Sequence, residues 1–74
     1  MNRLPALKPK EVERALLRAG FVEHRQKGSH KIFKKGNMRV VLPYHGKDLK
    51  RGTLRAIIEQ VDLTVEEFLG LLRG

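Results

Sequence analysis

Apolar residues recur at helical spacing near the start of the chain. Four of them follow the i, i+3, i+4, i+7 pattern of an amphipathic helix: Val12, Ala15, Leu16 and Ala19. Pro9 suits the first helical position, because the N–H that it lacks would have no partner there. Gly20 is well suited to a left-handed stop at the other end. The pattern predicts a first helix at about residues 9–19.

Short runs rich in Ile, Phe and Val follow this helix. Residues 21–27 mix apolar and polar side chains without helical spacing and end at Gly28-Ser29, which predicts a strand and a turn. Residues 30–35 and 38–44 flank Gly36-Asn37, a dipeptide typical of two-residue hairpin loops. The middle of the chain is therefore predicted to form three strands, the last two joined as a β-hairpin.

A two-residue loop at Gly36-Asn37 would align His30 with Pro43 across the hairpin. One side of the hairpin would then point to the core: Phe33, Met38, Val40 and Leu42. The opposite, more polar side would hold His30, Ile32, Lys34, Arg39 and Val41. A slip of one residue in the register would turn His30 inward, so the position of His30 depends on this turn.

Helical spacing returns after a polar loop at residues 45–52. Thr53 is the predicted N-cap of the next helix, whose apolar positions are Leu54, Ile57, Ile58 and Val61. Asp62-Leu63 interrupts this helix, and Thr64 with Glu67 forms the capping box of a last short helix. The predicted fold is α+β, in the order α-β-β-β-α with a short C-terminal helix, and helices cover one face of a three-stranded antiparallel sheet. This order is also that of the double-stranded-RNA-binding domain.

The composition fits one small domain. Seventy-four residues, 41% of them hydrophobic, suit a modest aliphatic core. The absence of cysteine excludes a disulfide framework and a thiolate zinc site. The sequence has neither a signal-peptide stretch at its start nor a run approaching the roughly 20 apolar residues of a membrane span. We therefore expect a cytoplasmic protein that does not contact a membrane.

The net charge of +8 is concentrated in the middle of the chain. Residues 23–55 carry ten basic and two acidic side chains, whereas residues 56–74 carry one and four. This distribution predicts a surface that binds a polyanion. The alternative is a solvated basic surface that serves only solubility.

Histidine acid–base chemistry is the catalytic function that the residues favour. The spacing of His24, His30 and His45 matches no zinc pattern, so we expect neither a metal nor another cofactor. RNA carries its own nucleophile, the 2′-hydroxyl, and its cleavage needs only a base, an acid and cations for the phosphorane charge. The strongest local signal is Gly28-Ser29-His30, which places a histidine at the start of a strand beside a turn. The alternative is an ordinary turn followed by a surface histidine.

Four segments together resemble the HicA toxin family, also called YcfA-like proteins. They are ALLRAGF at 15–21, KGSHKIF at 27–33, VVLPYH at 40–45 and KDLKRGTLRAIIEQ at 47–60. The resemblance covers about residues 9–68 of one domain spanning residues 1–74, in which residues 1–7 look like an N-terminal extension. It implies a fold like that of the double-stranded-RNA-binding domain.

The resemblance also implies a function. It identifies a toxin of a type II toxin–antitoxin pair, an endoribonuclease that cleaves mRNA without a metal. The essential histidine of the family falls on His30. The partner would be a HicB-type antitoxin that covers His30 and the basic face, and DNA would be contacted only indirectly through that antitoxin.

These considerations give His30 as general base or acid, with Ser29 as a candidate to orient it by a hydrogen bond. His45 is the candidate for the second proton-transfer group, from the hairpin register. The candidate phosphate contacts are Lys27, Lys31, Lys47, Lys50 and Arg51. Two alternatives stay open: a non-catalytic RNA-binding module that uses the same surface, and a structural protein whose basic face binds only an acidic protein.

Overall fold

The computed structural model describes residues 4–74, which form a three-stranded antiparallel sheet and three helices. The elements are α1 (Pro9–Arg18), β1 (Val22–Lys27), β2 (His30–Lys35), β3 (Met38–Pro43), α2 (Arg51–Gln60) and α3 (Val65–Arg73). The strands lie side by side in chain order, with β2 in the centre. The predicted α+β fold and its order of elements, like those of the double-stranded-RNA-binding domain, are confirmed.

Helix α1 ends in a Schellman motif built on Gly20. The Gly20 N–H donates to the carbonyl of Leu17 at 3.1 Å, and the Phe21 N–H donates to the carbonyl of Leu16 at 3.0 Å. Gly20 has φ +98°, a conformation that glycine adopts without a Cβ clash. The predicted stop at Gly20 is confirmed, and it turns the chain so that Phe21 enters the core.

Two hairpins with two-residue loops join the strands. Gly28-Ser29 connects β1 to β2, and Gly36-Asn37 connects β2 to β3. Each glycine has φ +59°, while Ser29 and Asn37 do not have positive φ, which is the pattern of type II′ turns. The predicted register is confirmed, because Phe33 pairs with Val40 and His30 pairs with Pro43.

This register separates two faces of the sheet. The face under the helices contributes Phe33, Val40 and Leu42 to the hydrophobic core, with Met38 partly buried beside them. The opposite face is called the open face here, and register partners share it. Its positions are Val22, Arg25, Lys27, His30, Ile32, Lys34, Arg39, Val41 and Pro43. His30 therefore lies on the open face, as predicted.

Helix α2 begins earlier than predicted. Lys50 is its N-cap, with extended backbone and a carbonyl that accepts the Leu54 N–H at 3.0 Å. The prediction that Thr53 caps this helix is therefore wrong, and Thr53 lies in the first turn. Leu49 provides the reason: its side chain is buried and its N–H donates to the Leu7 carbonyl at 2.8 Å, which fixes the chain just before the helix. Helix α3 has the predicted capping box between Thr64 and Glu67.

Residues before α1 are part of the core. Leu4 and Leu7 are only 4% and 5% exposed and belong to the same apolar cluster as the helices. The first three residues of the predicted extension at 1–7 lie outside the described residues. The described part of this segment therefore packs as a structural element of the domain.

Candidate functional site

His30 lies at one end of the central strand, on the open face. It is the first residue of β2, pairs with Lys27 on β1 and with Pro43 on β3, and is exposed to solvent. The two-residue turn at Gly28-Ser29 directly precedes it, so the imidazole is not covered by a long loop on that side. A histidine and a lysine therefore lie side by side at an accessible end of the sheet.

His45 follows at the same end of the sheet. The Tyr44 N–H donates to the Ser29 carbonyl at 2.6 Å, which extends the pairing of β2 and β3 one residue beyond the strands. Nδ1 of His45 accepts the Lys47 N–H at 3.2 Å. This bond occupies Nδ1 and leaves Nε2 as the ring nitrogen that can face a ligand. The hairpin brings His45 near the end of the sheet that holds His30, as its register suggested.

Ser29 contributes through its backbone. Its carbonyl accepts the Tyr44 N–H, whereas its hydroxyl forms no hydrogen bond to His30 among residues 4–74. His24, the third histidine, is exposed at an irregularity of β1, where the register shifts between Glu23 and Arg25. His24 therefore stands apart from the end of the sheet that carries His30.

Lys31 lies on the helix-covered face, unlike His30. Its Nζ is 2.9 Å from Oε2 of Glu13 and 3.5 Å from Oε1 of Glu23, and its side chain is 16% exposed. The same ammonium lies 4.1 Å from the centre of the Tyr44 ring. The hydrogen bond that this ammonium donates to Glu13 raises the pKa of Lys31. This geometry is at odds with Lys31 as a phosphate contact beside His30, because its charge is paired on the other side of the sheet.

Glu13 joins Lys31 to Tyr44. Oε1 of Glu13 accepts a hydrogen bond of 2.9 Å from the Tyr44 hydroxyl, while Oε2 accepts from Lys31. The bond to Glu13, together with burial, raises the pKa of Tyr44. These three residues are called the Glu13 cluster here. The sequence pattern did not predict this cluster, although the hairpin register alone places Lys31 and Tyr44 on one face of the sheet.

Three exposed cations follow His45 in the chain. Lys47 and Lys50 lie on the loop before α2, and Arg51 is the first residue of that helix. The first turn of α2 contains no acidic side chain, and Lys50 makes no side-chain capping bond. The loop is held by the bond from Leu49 to Leu7 and by burial of the Leu49 side chain. Lys47 and Lys50 therefore lie on an anchored loop, and Arg51 lies at the start of the helix that follows it.

Neither a metal cluster nor a membrane span is found in the described range. Among residues 4–74, no three His, Asp or Glu side chains converge in a way that could hold a metal ion. No helix in this part of the chain is long and apolar enough to cross a membrane.

Comparison with protein-family models matched residues 9–63 to the family described as HicA toxin of bacterial toxin-antitoxin. Comparison with curated proteins gave no match. The matched range contains α1, the sheet, α2 and every residue predicted for the site. Leu4, Leu7 and α3 lie outside it.

Proposed function

Because the chain belongs to the HicA toxin family of toxin–antitoxin systems, we propose that it is an endoribonuclease that cleaves mRNA without a metal. The observation that supports this most is the position of His30. It is exposed, beside Lys27, at an open end of the central strand. An imidazole can take a proton near neutral pH, and a neighbouring ammonium stabilises phosphate charge.

In the proposed reaction, His30 removes the proton from the 2′-hydroxyl of RNA. The 2′-oxygen then attacks the adjacent phosphorus, the bond from phosphorus to the 5′-oxygen breaks, and the leaving oxygen takes a proton from water or from protonated His30. The upstream fragment ends in a 2′,3′-cyclic phosphate. His30 therefore needs no metal-bound nucleophile, because the substrate supplies its own.

His45 has a different role in this proposal from the one that the sequence indicated. A proton-donating imidazolium would carry hydrogen on Nδ1, which would face the Lys47 N–H across 3.2 Å. We assign His45, whose Nδ1 accepts from the Lys47 N–H, to donate its Nε2–H to a non-bridging phosphate oxygen. It would then stabilise charge in the transition state instead of relaying a proton.

Lys27, Lys47, Lys50 and Arg51 are the proposed phosphate contacts. All four are exposed. Lys27 pairs with His30, and the other three follow His45 on the anchored loop and the start of α2. Lys31 is given a structural role instead, because its ammonium binds Glu13 and Glu23.

A toxin of this family acts with an antitoxin partner, and we propose a HicB-type protein for that partner. Its binding surface would cover His30 and present acidic or hydrogen-bonding groups to the basic residues. Such a partner would offset the repulsion within a surface of net charge +8.

The test is cleavage of a defined RNA in EDTA by the wild type, His30→Ala and His24→Ala. His30→Ala should cleave about 10²–10⁴-fold more slowly and still bind RNA. His24→Ala is the matched control, because His24 is exposed on the sheet away from His30, and it should cleave normally. Equal cleavage by wild type and His30→Ala would refute the role of His30. RNA binding without cleavage by the wild type would identify a non-catalytic RNA-binding module.

A further inference from the structure

Two like charges lie directly opposite each other on the open face. Lys34 on β2 and Arg39 on β3 are register partners, and both side chains are exposed. Neither forms an ion pair within residues 4–74. Like charges at directly opposed positions destabilise a sheet. The repulsion between Lys34 and Arg39 therefore lowers the stability of the unbound protein, and a bound anion would reduce this repulsion.

The positive charge continues along the same face toward His30. Arg25 pairs with Ile32 in the next row, and Lys27 pairs with His30 at the end. The strands contain a single acidic residue, Glu23, whose partner Phe33 lies on the helix-covered face and whose carboxylate contacts Lys31. The open face therefore carries cations without carboxylates.

The cations of the open face extend along the strands over the length of a short piece of RNA. His30 and Lys34 are four residues apart on one strand, a distance of roughly 13 Å at about 3.3 Å per residue. The apolar residues among these cations are Ile32, which is buried, Val41, which is half-buried, and Val22, the exposed register partner of Lys34. No aromatic ring is available for base stacking there, because Phe21, Phe33 and Phe68 are in the core and Tyr44 packs against it. Binding on this face would be electrostatic and tolerant of sequence.

We propose that the open face of the sheet binds the RNA strand next to the cleavage site, with Arg25, Lys34 and Arg39 as phosphate contacts. This inference rests on the proposed function, because RNA is the polyanion that would continue from His30. An RNA strand fits these cations better than a folded acidic protein does. The phosphates of the RNA are spaced along a line that begins at the site of cleavage. The phosphates would neutralise the pair formed by Lys34 and Arg39.

The test measures binding apart from cleavage. A His30→Ala background keeps the RNA intact, and the anisotropy of a labelled single-stranded oligoribonucleotide is followed at several salt concentrations. Lys34→Ala with Arg39→Ala should weaken binding about tenfold and make the salt slope about 1.4 less steep, since each lost phosphate contact removes about 0.7. The matched control is Arg55→Ala with Arg73→Ala, which removes the same charge from exposed positions on α2 and α3.

Thermal melting gives an independent readout. Loss of the opposed pair should leave the melting temperature of the free protein unchanged or higher, so weaker RNA binding would not reflect unfolding. With His30 intact, the same double variant should raise KM and leave kcat unchanged, because these residues do not touch the reacting atoms.

Wild-type RNA affinity and salt slope in the double variant would overturn the inference. The inference would also be overturned if the double variant bound RNA with wild-type affinity but was no longer inhibited by an acidic antitoxin. That result would identify the open face as a binding surface for the antitoxin. The proposed function fails separately: a wild type that binds RNA through this face but never cleaves it would refute catalysis and leave the binding surface intact.

Discussion

The hydroxyl of Tyr44 donates a hydrogen bond of 2.9 Å to Oε1 of Glu13, which ties the residue after β3 to the middle of α1. The backbone N–H of the same tyrosine donates to the carbonyl of Ser29, the residue before His30. Tyr44 is also the residue before His45. The Glu13 cluster therefore anchors Tyr44. This tyrosine is bonded to Ser29, the neighbour of His30, and directly precedes His45.

Glu13→Gln should destabilise the protein by about 1–3 kcal/mol, the cost expected when a hydrogen bond to a charged group is weakened and a partly buried ammonium loses its counterion. Glu23, at 3.5 Å, would then be the only carboxylate that Lys31 contacts. Urea unfolding measures the difference. Glu59→Gln is the matched control, because Glu59 is exposed on α2 and forms no ion pair within residues 4–74. Equal stability of the two variants would contradict the importance of the cluster.

Tyr44 gives the cluster its own spectroscopic probe, because the chain contains one tyrosine and no tryptophan. Its hydrogen bond to Glu13 and its burial raise the pKa of the hydroxyl above the ordinary value of 10.0. Absorbance at the phenolate band should therefore titrate at higher pH in the folded protein than in urea. Glu13→Gln should move the titration back toward the ordinary value, and an unchanged titration would argue against the bond.

The pH dependence of stability follows from the same two groups. The folded state raises the pKa of both Tyr44 and Lys31, so it binds their protons more tightly than the unfolded state does. The stabilisation is complete below the unfolded pKa values, near 10.0 for tyrosine and 10.5 for lysine, and is lost as the pH rises through the folded values. The melting temperature should fall above a pH of about 10, and Glu13→Gln should make that fall shallower.

The local signals in the sequence predicted much of the fold. Gly36-Asn37 was sufficient to place His30 on the open face, because the period of a strand is two and the turn fixes the register. Gly20 and the pair of Thr64 with Glu67 marked helix ends, because these residues bond to backbone groups a few positions away. Such features depend only on neighbours in the chain.

Features that depend on packing between distant segments escaped prediction. The start of α2 is set by burial of Leu49 and its bond to Leu7, so Thr53, a good capping residue by type, is not the cap. Lys31 was predicted to contact phosphate, but its ammonium pairs with Glu13. The sequence does not reveal this pairing, because it depends on where α1 crosses the sheet. Side-chain type and spacing do not determine that crossing.

The segment before α1 should affect both stability and RNA binding. Leu7→Ala should cost about 2–5 kcal/mol, because it opens a cavity in the core. It should also loosen the loop that carries Lys47 and Lys50, since the Leu7 carbonyl accepts the Leu49 N–H. Urea unfolding and RNA anisotropy measure the two effects. Ala6→Ser, at an exposed neighbouring position, should change neither. A stable Leu7→Ala variant with normal RNA affinity would contradict this role.

Gly28 and Gly36 offer a matched pair of substitutions that separates stability from activity. Both occupy the first position of a two-residue turn at φ +59°, and a Cβ on either would meet no atom within 4 Å. Replacement by Ala should therefore cost a similar amount in each, about 1–2 kcal/mol, from backbone strain alone. Only Gly28 lies beside His30, so Gly28→Ala should lower kcat for RNA cleavage, whereas Gly36→Ala should leave kcat unchanged. Because the two variants lose the same stability, an equal loss of kcat in both would mean that instability, and not the position of His30, limits the reaction.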